Sequence, residues 1–149
     1  DLKETIEEVL ESMKLFKDWS DTIKIEKVFS DNTKTFANRV QVRQIINNII
    51  LNAIQSMPEG GFLSVQTAMV KLDGKNEYAE IVITDTGCGI DDVKLKKIFE
   101  PFFTDKEKGT GLGLTIVGRI VEGYGGKIKI ESSVNIGTKC TVWLPVKNK

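Results

Sequence analysis

The chain has 149 residues, 40% hydrophobic and 28% charged, with 21 basic side chains balanced by 21 acidic ones. That length suits one domain that buries about two thirds of its unfolded surface, so the fold needs no disulfide framework and no structural metal. A net charge of zero excludes a global field that would draw the chain to nucleic acid or to a membrane surface, and partners have to be sought at local sites. Cys88 between two glycines and Cys140 in an alternating run read as small packing residues of a reducing compartment rather than as a bridge. No apolar run approaches the roughly 20 residues of a membrane span, and no leader is visible. A start at Asp1 is expected to mark a piece of a longer protein.

In chain order, Leu2, Ile6, Val9, Leu10, Met13 and Phe16 have the spacing of an amphipathic helix over 2–17, with glutamates early and lysines late. Residues 1–20 are expected to be the end of an upstream helix and a linker, and 21–149 the main domain. Ile23, Ile25 and Val28 alternate as a strand, and a short strand over Thr35–Ala37 is expected before Asn38, an N-cap for a helix from Arg39 to Met57. That helix stops at Pro58-Glu-Gly-Gly61. Strands follow over Phe62–Leu72 and Glu77–Asp85, joined at Asp73-Gly74, and then a short helix over Asp91–Phe99. A loop rich in charge and glycine, Thr104–Gly111, leads to a helix over Leu112–Tyr124, and Lys127–Ser132 with Thr138–Leu144 closes the chain as a hairpin. This order predicts an α/β fold, a two-layer sandwich whose mixed sheet is covered on one face by helices.

The helix from Arg39 carries an unusual polar stripe. At about 3.6 residues per turn, Gln41, Gln44, Asn48, Asn52 and Gln55 fall on one side, while Ile45, Ile46, Ile49, Ile50, Ala53 and Met57 cover the other. A solvated face would use Lys or Glu, which are better helix formers than Asn, yet 44–57 holds no charge at all. Neutral amides in such a row suit a ligand better than bulk water.

Two glycine-punctuated segments add to it. Asp85 closes the run Ile81-Val-Ile-Thr84 and is followed by Thr-Gly87-Cys-Gly89-Ile90. A carboxylate there can accept a hydrogen bond from an exocyclic amine, and Gly87 and Gly89 are expected to let backbone pass close to a ligand without Cβ contact. The second segment is Gly109-Thr110-Gly111-Leu112-Gly113-Leu114. It lacks the strand and third glycine of a dinucleotide fingerprint and the Gly-Lys-Ser/Thr of a Walker A loop. What remains is backbone N–H groups backed by a helix N-terminus, which can bind a polyphosphate. Lys106 and Lys108 in the same loop can add charge at the β or γ phosphate.

Asn48-Ile-Ile-Leu-Asn52-Ala53, Asp85-Thr-Gly-Cys-Gly-Ile90, Phe99-Glu-Pro-Phe-Phe103 and Gly109-Thr-Gly-Leu-Gly-Leu114 occur in this order with suitable gaps. Together they resemble the N, G1, F and G2 boxes of the ATP-binding catalytic domain of sensor histidine kinases, in the GHKL superfamily. The resemblance runs from about Asn38 to Pro145 and is nearest in style to the nitrogen-sensor and sporulation-kinase branches. It implies the Bergerat fold with ATP and Mg²⁺, and it assigns Asn52 to the metal through its side-chain oxygen, with Asn48 completing the contact to metal or phosphate. It also places Gln55, Asp85, Gly87, Gly89, Ile90, Lys106, Gly109, Thr110, Gly111, Leu112, Gly113, Leu114 and Thr138 around the nucleotide, Asp85 taking the adenine amino group and the Thr138 hydroxyl lying near adenine. Phe99, Phe102 and Phe103 are expected to be structural first. Ile54-Gln-Ser-Met57 stands where many histidine kinases have a phosphate-binding lysine and a stacking tyrosine, so neither is expected from this helix.

The relatives that split water with ATP, such as DNA gyrase, have a glutamate at the position of Asn48, and an amide cannot act as that general base. The resemblance therefore implies γ-phosphoryl transfer to a histidine. The chain has no histidine, so the acceptor is expected on a separate dimerising helical hairpin, with a response regulator receiver domain as the next recipient. The same resemblance implies a cytoplasmic domain of a homodimeric parent and leaves open whether that parent is membrane-anchored. The alternatives are an anti-sigma-type serine kinase, a nucleotide-sensing module or an ATPase fragment.

Overall fold

The computed structural model describes residues 1–16, 19–99 and 113–147. In chain order the elements are α1 (Leu2–Met13), β1 (Ile23–Phe29), α2 (Arg39–Gln55), β2 (Gly61–Lys71), β3 (Glu77–Asp85), α3 (Asp92–Leu95), α4 (Gly113–Gly123), β4 (Lys127–Ser133) and β5 (Gly137–Pro145). The strands form a five-stranded sheet in the order β1-β2-β3-β5-β4. Only β1 with β2 is parallel, and the other pairs are antiparallel. This is the mixed α/β sandwich that the pattern predicts.

Alternation along each strand puts one face into the core. Its rows read Thr67, Ile81, Val142, Ile128 and then Val65, Ile83, Cys140, Ile130 across β2, β3, β5 and β4. Against them pack the buried stripes of α1 (Leu2, Ile6, Val9, Leu10, Met13), α2 (Val42, Ile45, Ile46, Ile49, Ile50, Ala53, Ile54) and α4 (Val117, Val121), all in one cluster. Each of the larger side chains is worth about 1.5–3 kcal/mol when fully buried, so this shared core dominates the stability. The next row is different. It reads Leu63, Asp85, Thr138, Ser132, so the inner face turns polar where β3 ends.

Local chemistry explains the ends of these elements. Asp1 caps α1 through its carboxylate at 2.8 Å from the Lys3 N–H, and Asn38 caps α2 at 2.8 Å from the Val40 N–H. The side chains of Arg39 and Arg43 reach Glu8 and tie α2 to α1, and Glu8, with Glu4 adding to it, raises the Arg39 pKa above its ordinary value.

Several boundaries differ from expectation. The strand expected over Thr35–Ala37 does not form, because the Thr35 hydroxyl donates to the Pro145 carbonyl (2.8 Å) and accepts from the Ala37 N–H (3.2 Å), a local turn in place of a ladder. Phe36 packs edge-on against Tyr124, with ring centroids 5.5 Å apart. The helix expected to reach Met57 ends at Gln55 with Ser56 as its C-cap, and the one expected over 91–99 is a single turn, Asp92–Leu95. Among the described residues no helix is long and apolar enough to cross a membrane.

Candidate functional site

The site is built where the polar row of the sheet meets the C-terminal half of α2. Asp85 ends β3 on the inner face and is only 8% exposed. A buried carboxylate needs hydrogen bonds to its charged form. Its Oδ1 accepts from the Gly87 N–H at 2.8 Å and from the Ser56 hydroxyl at 3.3 Å. The charge is felt nearby: burial, with Asp85 adding to it, pushes the Cys140 thiol up to about 12.

Across β3 and β5 Asp85 pairs with Thr138, whose hydroxyl lies 2.8 Å from that of Ser132. Ser132 Oγ also accepts from the Ile90 N–H at 2.8 Å and bonds the Gly137 carbonyl at 2.9 Å. Ser132 thus ties the start of β5 to the turn after Asp85. Neither Ser132 nor Ser56 stood out in the sequence. Ser132 lies in an ordinary alternating run, and the only sign of Ser56 was its place next to Gln55 at the end of the polar stripe.

Both glycines are closely approached by the protein itself. A Cβ at Gly87 would lie 2.6 Å from Ser56 Cβ, and one at Gly89 would lie 2.7 Å from the Ser133 carbonyl carbon. Their close approach is to protein, which presses the turn against the C-cap of α2 on one side and against β4 on the other. Gly89 also has φ +72°, a conformation that side chains disfavour. Cys88 between them is exposed, not a packing residue, because the turn uses its backbone instead: its N–H donates to Ser56 O and its carbonyl accepts from the Asn135 N–H. Cys140 is buried as expected.

Along α2, Asn48, Asn52 and Gln55 are half-buried on the face away from the isoleucines. Asn48 Nδ2 donates to the carbonyl of Gly113 at 3.3 Å, so the first residue of α4 sits beside the stripe. A Cβ on Gly113 would meet Asn48 only at 3.9 Å, ordinary contact. Leu114 is half-buried in the first turn of the same helix. Contacts thus join Asp85 to Gly87 and Thr138, and through Ser132 and Ser133 to Ile90 and Gly89, while Asn48 meets Gly113; Asn52 and Gln55 share the Asn48 face of α2, and Leu114 follows Gly113. Lys106, Gly109, Thr110, Gly111 and Leu112, with Phe102 and Phe103, lie outside the described residues. Phe99 is 40% exposed, and its carbonyl accepts from the Thr115 hydroxyl at 2.9 Å. A groove of about 390 Å³ between α4 and β4, lined by Phe99, Thr115, Gly118, Arg119 and Lys127 among others, contains none of the residues gathered around Asp85. Among the residues gathered there, Asp85 carries the only charge.

Comparison with known proteins gives the chain a family. The family model for histidine kinase-, DNA gyrase B- and HSP90-like ATPases matches residues 37–148. The chain belongs to that ATPase family. Sporulation kinase D of Bacillus subtilis (strain 168) is 50% identical over 105 residues, which cover 70% of this chain and 20% of that kinase. Sporulation kinase C of the same strain is 41% identical over 128 residues, covering 85% of this chain and 29% of that one. The chain thus spans less than a third of the length of these curated relatives. Among solved structures, the catalytic domain of histidine kinase ThkA superposes with a TM-score of 0.77 at 30% identity, covering 97% of this chain and 92% of that one. The mycobacterial sensor histidine kinase MprB gives a TM-score of 0.82 at 26% identity, covering 100% and 97%. Within the ATPase family, the chain has the fold of the histidine kinase catalytic domains.

Proposed function

We propose that this domain binds Mg-ATP and transfers the γ-phosphoryl group to a histidine carried on a separate helical hairpin. The observation that supports it most is Asp85, an ionisable acceptor at the polar end of the inner sheet face, with Thr138 opposite it and the amide stripe of α2 alongside. Asp85 takes the exocyclic amine of adenine, and the backbone at the start of α4 receives the polyphosphate with help from Lys106 and the loop 109–112.

The donor set fits a magnesium ion that arrives with its nucleotide. Among the described residues there is no group of three or more His, Cys, Asp or Glu that could hold a metal. The amide oxygen of Asn52 is a hard ligand able to supply one position, leaving the others to phosphate oxygens and water. When bound, the ion neutralises charge on the phosphates during transfer. The protein's own part is positioning. Asn48 fixes the first residue of α4 through its contact with Gly113, and as an amide it supplies no base to activate water, which disfavours the ATPase alternative. The parent is a homodimer in which the hairpin enters at the α1 end, residues 1–20 forming the junction and a response regulator receiver domain taking the phosphate in turn. A cytoplasmic position follows from that partner.

Calorimetry on wild type and Asn52→Ala tests the site. Magnesium alone should give no binding heat, Mg-ATP binding should weaken at least about tenfold in the variant, and adenosine binding should stay nearly unchanged. Equal Mg-ATP affinity in the two proteins would refute the metal assignment.

A further inference from the structure

We propose that Ser56 is a positioning residue for base selection: its hydroxyl fixes the Asp85 carboxylate as an acceptor that prefers a 6-aminopurine over a 6-oxopurine. The inference rests on the assignment of Asp85 to the adenine amine.

Ser56 touches the Asp85 turn in three ways. Its hydroxyl lies 3.3 Å from Asp85 Oδ1, its carbonyl accepts from the Cys88 N–H at 3.1 Å, and its side chain fills the space a Cβ on Gly87 would need. As the C-cap of α2 it is held by backbone bonds to the last turn and has little freedom to move away. The hydroxyl has one proton and two acceptors in reach, the Ala53 carbonyl at 2.7 Å and the carboxylate. The Ala53 carbonyl already accepts from the Ser56 N–H, whereas a bond to a charged acceptor contributes more than one to a neutral carbonyl. With the Gly87 N–H and the Ser56 hydroxyl both on Oδ1, the plane of the carboxylate is set by protein before any ligand arrives.

A carboxylate so held offers only lone pairs. It matches an amine at purine C6 and repels a carbonyl there. Without the hydroxyl, a donor that helps to set the plane is gone. The carboxylate can then turn and take water between itself and the base, so binding of the amine falls while the already poor binding of the oxo compound barely changes.

The test is calorimetric titration of wild type, Ser56→Ala, Ser56→Cys and Ser56→Thr with ADP and with inosine diphosphate in magnesium, beside thermal melts of each protein. Expected for Ser56→Ala is a loss of about three- to tenfold in the ADP-to-IDP affinity ratio, carried by ADP. Ser56→Cys, which keeps a somewhat larger γ atom with only a weak donor, should fall between, and Ser56→Thr should restore the ratio. An unchanged ratio in both Ala and Cys variants, even with a lower melting temperature, overturns the proposal by making Ser56 structural only. So does a reduced ratio that Thr leaves reduced, which assigns the effect to packing on Gly87. A wild type with no preference between the two nucleotides is a different failure, one that removes the Asp85 assignment and this proposal with it.

Discussion

Replacing Asp85 with Asn separates what the carboxylate does for the fold from what it does for a ligand. The asparagine keeps an oxygen to accept the Gly87 N–H, now at 2.8 Å, and the Ser56 hydroxyl, now at 3.3 Å. It loses the charge, and an NH₂ replaces the second oxygen. Because the inner contacts survive, the cost to folding should be about 1 kcal/mol, a fall of roughly 2–4 °C in melting temperature for a domain of this size. The ligand meets a larger change. A hydrogen bond to a charged acceptor worth about 1.5–3 kcal/mol is exchanged for two donors facing each other, so affinity for an ATP analogue should drop by roughly ten- to 150-fold. Calorimetry and a thermal melt on the same preparation read both numbers. An affinity within about threefold of wild type would refute the base-binding role, and a melt lowered by more than about 10 °C would show that the carboxylate is first of all a structural group.

Gly89 and Gly74 have nearly the same backbone conformation, φ +72° and +75°, but only at Gly89 would a Cβ run into the Ser133 carbonyl, while Gly74 has open space. Gly74→Ala should therefore cost about 1–2 kcal/mol and Gly89→Ala at least about 1–3 kcal/mol more, and equal melting temperatures for the two variants would contradict the packing described for the turn. The Cys140 thiol, normally near 9.0 and pushed up to about 12 by burial and then by Asp85, gives a pH dependence with a definite sign. Above its ordinary value the unfolded chain releases this proton while the folded one keeps it, so stability falls as pH rises from 9 toward 12, by at most about 1.4 kcal/mol per pH unit. Urea titrations at about pH 8 and pH 10.5 should show wild type losing about 2 kcal/mol more than Cys140→Ala, and parallel losses would refute the burial of a neutral thiol.

Much of the architecture was legible because it rests on local patterns. The 3.6-residue spacing of the isoleucines gave α2, period-two alternation gave β2, β3 and the β4–β5 hairpin, and Asn38 marked a helix start that the structure confirms. What escaped was set by contacts between distant residues. Thr35 looks like a strand former, yet its hydroxyl is used by Pro145, 110 positions away. Gly87 and Gly89 were legible as residues that something must approach closely, but that Ser56 and Ser133 are the neighbours depends on how the turn docks between α2 and β4. The same holds for Ser56 and Ser132, ordinary hydroxyl residues until the insertion of β5 between β3 and β4 brings the polar row together. Cys88 misled because its flanking glycines suggested tight packing, whereas the turn packs its backbone and exposes its thiol.

The proposed transfer goes to a histidine that this chain, with none of its own, does not contain. With γ-labelled ATP and magnesium the chain alone should take up no stable label and hydrolyse ATP near background, since the amide at Asn48 offers no base. Given a helical hairpin bearing the acceptor histidine as a separate polypeptide, it should produce an acid-labile, base-stable phosphoprotein on that hairpin. The yield should rise with the concentration of either piece, because the separated pieces lack the effective concentration of a tether. Rapid hydrolysis by the chain alone, or acid-stable label on a serine, would contradict the account.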